Sequence, residues 1–219
     1  MRRLPVVITS YCGEPNAELK IRMTGKLCEA IKKTGHYVCL ATHSPMPVSI
    51  QEMCDGYIYD ADNSFQINGL PTEGLTHGMA ELKSVHNALN YLERFGFTDF
   101  FKLTYDCDPT LNYTDLISRA QFVSENYNKS LVCSGWGHEK TMAFLLFYSK
   151  IDYFRKISSL STPEQWRSCF EEKWYENAEK LGLQDQIFQS HVRLYDDYLG
   201  YHIRDFAHQG GTEVDNYPY

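Results

Sequence analysis

The sequence predicts an α/β protein: a mainly parallel central sheet flanked by helices and folded as a single domain. Three observations predict it. Apolar, β-branched runs alternate with segments in which apolar residues recur every three or four positions, which is typical of strands alternating with helices. The chain of 219 residues has the length of one domain. It contains no internal repeat, low-complexity tract or linker that would divide it. Strands that alternate with helices form parallel, doubly wound sheets.

Four strands and two long helices are predicted in the first half of the chain. The first helix follows Pro15 and ends at Gly35, since glycine commonly terminates helices. The second extends from His77 to Phe95 and has one continuous apolar stripe. The four strands are predicted at residues 4–11, 36–44, 56–63 and 98–108.

The second half is predicted to contain two more strands and three helices. Thr114 is expected to cap a helix that continues to about Tyr127, and Thr162 to cap another. A short helix is expected between them, around Phe154. The strands are predicted at residues 131–137 and 141–150, and the end of the chain as a hairpin followed by an irregular tail.

The charge of the chain argues against nucleic-acid binding. The net charge is −7, and lysine and arginine are scattered rather than clustered. Affinity for a phosphate backbone comes mainly from clustered basic side chains. The 16 tyrosines point instead to a pocket for rings or sugars, because tyrosine combines a flat apolar ring with a polar tip.

The seven cysteines include no Cys-x-x-Cys pair. Zinc sites and disulfide frameworks use closer, paired spacing, so we expect these cysteines to be small apolar residues in a reducing compartment. No apolar stretch reaches the ~20 residues of a membrane span, and the first residues are too weakly apolar for a signal peptide. We therefore expect a soluble, cytoplasmic protein.

Three predicted strands end in polar residues: Thr9-Ser10-Tyr11, Asp60-Ala61-Asp62-Asn63 and Asp106-Cys107-Asp108. In an open parallel sheet, ligands bind at the carboxyl ends of the strands, so these three ends are expected to meet at one rim. Two carboxylates one residue apart can share a divalent cation together with phosphate oxygens. Such a cation neutralises a diphosphate and stabilises it as it leaves.

With these features the chain resembles the GT-A family of nucleotide-sugar glycosyltransferases. A βαβ region comes first, and a strand ending in Asp106-Cys107-Asp108 matches the family's Asp-x-Asp motif near mid-chain. It is also similar to small glycosyltransferase domains of large algal viruses. The resemblance implies a GT-A-like domain with a nucleotide-binding half (residues 1–108) and an acceptor-binding half with a C-terminal tail (residues 109–219). It implies a divalent-metal-dependent hexosyltransferase that moves sugar from a UDP- or GDP-sugar to a hydroxyl of a glycan or glycoconjugate.

The resemblance also implies roles for individual residues. Asp106 and Asp108 would bind Mn²⁺ or Mg²⁺, and Asp106 would also contact the nucleotide. His208, beside two glycines, would be a third metal ligand on a closing C-terminal segment, with His191 and His202 as rivals. The other implied nucleotide contacts are Thr9, Ser10, Tyr11, Asp60, Asn63 and Lys83; for Asp60 and Lys83 the alternatives are turn chemistry and a solvated helix face.

The sequence constrains the catalytic base and the acceptor site less than it constrains the metal and nucleotide sites. A carboxylate that takes the proton of the acceptor hydroxyl is expected at Glu171, with Asp152 as the alternative. Glu171 and Glu172 also fit a solvated helix face. Trp136 lies between two glycines, and its indole could stack on an acceptor sugar, although a core position is the common alternative.

Two rival functions remain open at this level. Asp106-Cys107-Asp108-Pro109-Thr110 also fits the Asp-x-Asp-x-Thr motif of haloacid-dehalogenase-like phosphatases, with Asp106 as nucleophile. That motif usually ends the first strand of its fold, whereas three predicted strands precede it here. The other rival is a non-catalytic, metal-free nucleotide- or sugar-binding domain in which Asp108 and Thr114 are only turn and cap residues.

Overall fold

The computed structural model describes residues 3–12, 16–61, 66–67, 70–71, 77–134, 146–162 and 170–190. The architecture is the predicted one: a seven-stranded sheet, mostly parallel, with helices packed on it. In chain order the strands are β1 (Pro5–Ser10), β2 (Tyr37–Thr42), β3 (Gly56–Tyr59), β4 (Gln66–Ile67), β5 (Leu70–Pro71), β6 (Asp99–Thr104), β7 (Leu131–Ser134), β8 (Leu146–Lys150) and β9 (Ile187–Ser190).

The strand order in the large sheet is β3-β2-β1-β6-β8-β7-β9, and β4 pairs with β5 separately. β1 is parallel to both β2 and β6, and β2 is parallel to β3. β8 lies between β6 and β7 and runs antiparallel to both. The carboxyl ends of β1, β2, β3 and β6 therefore lie at one rim of the sheet. The carboxyl end of β8 lies at the opposite end of the strands.

Six helices connect the strands within the described residues: α1 (Ala17–Lys33), α2 (Val48–Gln51), α3 (His77–Glu93), α4 (Tyr113–Asn126), α5 (Ile151–Ser158) and α6 (Phe170–Lys180). Gly35 has a φ of 78°, the left-handed conformation in which glycine ends helices at no steric cost. None of these helices is long and apolar enough to cross a membrane.

The sheet separates two buried clusters. On one side, Val7, Leu89 and Phe100 pack with Phe154 and Trp174, so α3, α5 and α6 cover this face. The rings of Phe154 and Trp174 meet edge to face, with centroids 4.9 Å apart. On the other side, α1 and α4 cover β1, β2 and β6 through Leu27, Ile31, Ile117, Ile8, Leu40 and Leu103. Burying each such side chain contributes about 1.5–3 kcal/mol, which holds the rim in place.

One local prediction needs correction. Helix α4 begins at Tyr113, and its cap is Asn112 rather than Thr114: the Asn112 side chain accepts a hydrogen bond from the backbone N–H of Asp115 at 3.2 Å. Amide and hydroxyl side chains are both good caps, so the position of the first turn decides between them. Residues 163–169 and 191–219, where the start of the helix at Thr162 and the C-terminal hairpin were predicted, lie outside the described residues.

Candidate functional site

The rim carries a small cleft that is open to solvent. It lies between the carboxyl ends of β1 and β6 and the first turns of α3. Three of the residues predicted to bind a nucleotide line it, together with six that were not predicted. The lining residues are Thr9, Ser10, Tyr11, His43, Ala80, Glu81, Ser84, Thr104 and Tyr105.

Glu81, Thr9 and Lys102 form the floor of this cleft. Side chains alternate along a strand, so Lys102 points from β6 toward α3, where its Nζ binds Oε1 of Glu81. The same oxygen accepts a hydrogen bond of 2.8 Å from Oγ1 of Thr9. Lys102 is fully buried, and burial lowers its pKa while the Glu81 carboxylate opposes that shift.

The second carboxylate oxygen of Glu81 is the one available to a ligand. Both hydrogen bonds of the side chain use Oε1, and within the described residues Oε2 has no hydrogen-bond partner. Glu81 is 8% exposed and lines the cleft. The floor therefore offers a hydrogen-bond acceptor, which suits an N–H or O–H donor.

His43 joins the ends of two strands to α3. Its Nδ1 lies 2.9 Å from the carbonyl oxygen of Asp60. Its Nε2 lies 2.8 Å from the carbonyl oxygen of Ala80 and 2.9 Å from Oγ of Ser84. His43 thereby fixes the end of β3 against the first turns of α3.

Asp60 and Lys83 form an ion pair beside the cleft. The distance between Lys83 Nζ and Asp60 Oδ2 is 2.9 Å, and Asn87 donates to the same oxygen at 2.9 Å. Lys83 is 7% exposed, so the alternative of a solvated lysine is wrong. The pair lies beside the cleft wall, since His43, which lines the cleft, contacts the carbonyl oxygen of Asp60.

Tyr11 presents an aromatic surface at the open side of the cleft. It is 41% exposed, and the Nζ of Lys20 lies 5.5 Å from its ring centroid. Ser10 turns the other way: its Oγ is within 2.8 Å of Oγ1 of Thr24 on α1. Tyr11 can therefore stack on a flat ligand, while the Ser10 side chain holds β1 to α1.

Asp106 and Asp108 follow β6 at the same rim. Asp106 is 8% exposed. Oδ1 of Asp108 accepts hydrogen bonds from the N–H and the hydroxyl of Thr110 at 2.8 and 2.7 Å, as in an Asx turn. Its Oδ2 has no hydrogen-bond partner in the part of the chain that the structure describes. One oxygen of Asp108 thus shapes the turn, and the other can bind a cation.

These two carboxylates fit a divalent cation only in combination with a ligand. Among the described residues no group of three or more His, Cys, Asp or Glu side chains is arranged to hold a metal ion. Mg²⁺ is commonly held by one or two carboxylates plus phosphate oxygens and water, rather than by an all-protein cage. A carboxylate oxygen available on Asp108, with Asp106 two residues before it, matches that donor set.

The remaining predicted residues are not brought to the rim by the described structure. Asn63, Trp136 and His208 lie outside the described residues, and of Glu171 only its backbone position in α6 is described. Asp152 lies at the start of α5, directly after β8. Because β8 is antiparallel to β6, Lys150 pairs with Asp99. Asp152 therefore lies at the end of the strands opposite the rim. At 3.3 Å per residue, the length of β6 places it roughly 17 Å from the rim.

Sequence reasoning missed Glu81, His43 and Ser84. Glu81 has one usable signal: Lys102 is a charged residue inside a strand predicted to be buried, and a buried charge requires a partner. The sequence does not identify that partner, since several acidic residues lie within reach of such a strand. The sequence carries no signal for His43 or Ser84, because their contacts form only when β2, β3 and α3 meet in the fold.

Comparison with known proteins supports the fold. No protein-family model and no curated protein matches the chain. The solved structures similar to it include two that each have a TM-score of 0.51. A cytidylyltransferase from Leptospira borgpetersenii serovar Hardjo-bovis (strain JB197) is 12% identical, with 87% of this chain and 76% of that chain covered. A glycosyltransferase involved in the glycosylation of the major capsid of PBCV-1 is 13% identical, with 90% of each chain covered. The GT-A-like, Rossmann-like fold expected from the sequence is confirmed.

Proposed function

We propose that this protein is a metal-dependent glycosyltransferase that transfers a hexosyl group from a nucleoside diphosphate sugar to a hydroxyl of a glycan or glycoconjugate. One observation carries the proposal: a cleft with an acceptor floor lies beside a loop with two carboxylates, at the carboxyl ends of parallel strands. The cleft suits a nucleoside, and the loop suits the diphosphate with its cation. The fold shared with a glycosyltransferase supports this assignment.

The two parts of the rim suit different parts of the ligand. The nucleobase enters the cleft, where Tyr11 stacks on it and Oε2 of Glu81 accepts a hydrogen bond from a base N–H. Lys83 and Asp60 would contact the ribose, and Asn63 belongs to the same group of proposed contacts. A uracil or guanine ring has a ring N–H that can donate to this floor, in agreement with a UDP- or GDP-sugar.

Asp106 and Asp108 would hold Mn²⁺ or Mg²⁺ against the diphosphate, with His208 as a proposed third ligand. When bound, the cation neutralises the charge that develops on the departing diphosphate. The chain's own contribution is to fix the carboxylates: the Thr110 hydrogen bonds hold Asp108 in one orientation. Glu171 remains the proposed base and Trp136 the proposed acceptor platform. Asp152, which lies at the end of the strands opposite the rim, is not part of this proposal.

Nucleotidyl transfer is the second candidate, because a cytidylyltransferase shares the fold with the same TM-score. Such an enzyme joins a nucleoside triphosphate to a phosphorylated acceptor and releases pyrophosphate. A glycosyltransferase releases a nucleoside diphosphate and forms a glycosidic bond. Analysis of the products by mass spectrometry after incubation with CTP plus sugar phosphates, or with UDP- and GDP-sugars, separates the two.

The test of the proposed function is calorimetric titration of the protein with UDP, GDP and CDP, each with and without Mn²⁺. We expect binding of UDP or GDP that is strengthened by the metal ion. Binding that ignores the metal ion contradicts the metal-dependent function, and absence of binding to every nucleotide contradicts the nucleotide site itself. A phospho-aspartate trapped at Asp106 with a phosphate ester would favour the phosphatase instead.

A further inference from the structure

Two cysteines that are 26 residues apart in sequence meet in the fold. Cys28 is buried on α1, and Cys54, in the turn between α2 and β3, is partly exposed. Their sulfur atoms are 3.9 Å apart. No spacing rule reveals this pair.

The surroundings give the two thiols different reactivity. The contact with Cys28 and the positive charge of Lys32, one turn along α1, lower the pKa of Cys54 against the opposing effects of burial and Asp55. The pKa of Cys28 is raised, first by its contact with Cys54 and then by burial. A thiolate is the nucleophile in thiol–disulfide exchange, so Cys54 is the sulfur that reacts first.

Two other cysteines among the described residues lack this combination. Cys39 and Cys133 are buried, and burial raises the pKa of both well above the usual range of a thiol. Neither is within sulfur–sulfur contact of another cysteine among the described residues. A partly exposed thiol with a lowered pKa beside a second thiol is the arrangement of a redox-sensitive cysteine with its resolving partner.

We propose that Cys54 and Cys28 form a thiol-oxidation site that reacts with small disulfides such as oxidised glutathione. The Cys54 thiolate attacks one sulfur of the disulfide, and the other half leaves as a thiolate that takes up a proton. The Cys28 thiol then loses its proton and attacks the Cys54 sulfur, which releases the second half as a thiol. Two cysteine thiols are oxidised to one disulfide, and one disulfide is reduced to two thiols.

The product ties α1 to the turn that precedes β3. The sulfur atoms must approach from 3.9 Å to about 2.05 Å, which requires rotation of the two side chains. The link closes a loop that contains β2 and α2, so we expect the oxidised protein to melt at a higher temperature than the reduced protein. None of the residues that line the rim cleft changes chemically. The proposal is therefore independent of the function proposed for the rim.

The test is to incubate the folded, reduced protein with oxidised glutathione, count the free thiols and map the tryptic peptides. We expect the thiol count to fall by two from seven, and the Cys28 and Cys54 peptides to be linked. The variant Cys28→Ser should retain glutathione on Cys54, because its resolving thiol is gone. The variant Cys54→Ser should lose no thiol from Cys28.

Cys133→Ala is the matched control, since it removes a buried thiol distant in sequence from the pair and should leave the reaction unchanged. Circular dichroism verifies that each variant is folded, and if Cys28→Ser does not fold, Cys54→Ser alone provides the comparison. Stable glutathione on Cys54 in the unsubstituted protein overturns the proposal. So does an unreactive Cys54, or a disulfide that links other cysteines.

Discussion

At the residue scale, Asp108 combines two roles in one side chain. Its Oδ1 accepts two hydrogen bonds from Thr110, and its Oδ2 is the oxygen that we assign to the cation. Asp108→Asn retains an acceptor for the turn but removes the charge. We therefore expect metal-dependent nucleotide binding to weaken by about 100-fold or more, with the melting temperature nearly unchanged. Calorimetry with UDP or GDP plus Mn²⁺ measures the first effect, and a thermal melt the second.

Asp106→Asn and Thr110→Ala are the comparisons for Asp108. We expect Asp106→Asn to weaken binding less than Asp108→Asn, since the resemblance assigns direct metal ligation mainly to the second Asp of the motif. Thr110→Ala removes one of the two hydrogen bonds to Asp108 but no charge, so it should weaken binding only slightly. If Thr110→Ala and Asp108→Asn had equal effects, the turn rather than a cation would explain the role of Asp108.

Glu81 and Lys102 allow stability and ligand binding to be separated. Glu81→Leu leaves the buried Lys102 without its carboxylate partner, which we expect to lower the free energy of unfolding by about 3–5 kcal/mol. The double variant Glu81→Leu/Lys102→Met replaces the pair by apolar side chains and should recover most of that loss. It also removes the acceptor at the cleft floor, so nucleotide binding should remain weak.

Urea unfolding and calorimetry on the single and double variants provide the two measurements. The variant Lys102→Met alone completes the cycle and isolates the coupling between the two side chains. A double variant that is stable and binds UDP or GDP as tightly as the unsubstituted protein would show that Glu81 is a structural residue only.

At the scale of elements, α3 connects the cleft to the far part of the core. Its first turns carry Glu81 and Ser84 to the cleft, and its later turns pair with α5. Arg155 of α5 donates to Glu93 at 2.6 Å, and its Nη1 lies 3.4 Å from Nδ1 of His86. Burial, assisted by the positive charge of Arg155, lowers the pKa of His86 to about 4.

This shift makes the stability of the fold depend on pH. Unfolded His86 titrates near 6.5, so its contribution is complete above that pH and is lost as the pH falls toward 4. Between pH 7.5 and pH 5 the free energy of unfolding should fall by about 2 kcal/mol on account of this residue. His86→Gln should reduce the pH dependence by that amount. Urea unfolding of both proteins at the two pH values tests it, and equal slopes would contradict the assignment.

The elements also show where sequence patterns stop being informative. The strands β1, β2, β3 and β6 were predicted in place because their residues are almost continuously apolar, and Lys102 did not disrupt β6 because Glu81 pairs with it. The direction of β8 was not predictable, since periodicity identifies a strand but not its neighbours. Because β8 runs antiparallel to β6, Asp152 lies at the end of the strands away from the rim, too far for the role of the base.

At the scale of the whole molecule, the topology explains which part of the site was predictable. The alternation of strands and helices implies parallel strands, and parallel strands bring Tyr11, Asp60 and Asp106 to one rim. Contacts that depend on three elements meeting, such as those of His43, follow only from the three-dimensional packing. The same limit applies to Cys28 and Cys54, whose sulfur contact joins α1 to the turn before β3.

Removing the C-terminal tail tests its proposed part in donor binding. Every described strand of the sheet and every described residue of the two buried clusters comes before residue 191. A chain that ends at Asp205 should therefore fold with an unchanged melting temperature, because it keeps the apolar contacts that offset the ordering entropy. It should bind donor plus Mn²⁺ more weakly, since the proposed third ligand, His208, is missing. The ratio of donor hydrolysis to transfer should rise, because the tail is proposed to exclude water from the donor.

Thermal melts, calorimetry and product analysis on the truncated and full-length chains measure these effects, and one substitution identifies their source. Full-length His208→Ala should weaken metal-dependent donor binding by about tenfold, but it should raise hydrolysis less than the truncation, because the rest of the tail can still cover the sugar. If His208→Ala binds normally while the truncation does not, the tail acts through contacts other than the imidazole. If both proteins bind and transfer as the unsubstituted chain does, the residues after Asp205 have no part in the reaction, and the cation is held by Asp106, Asp108 and the diphosphate alone.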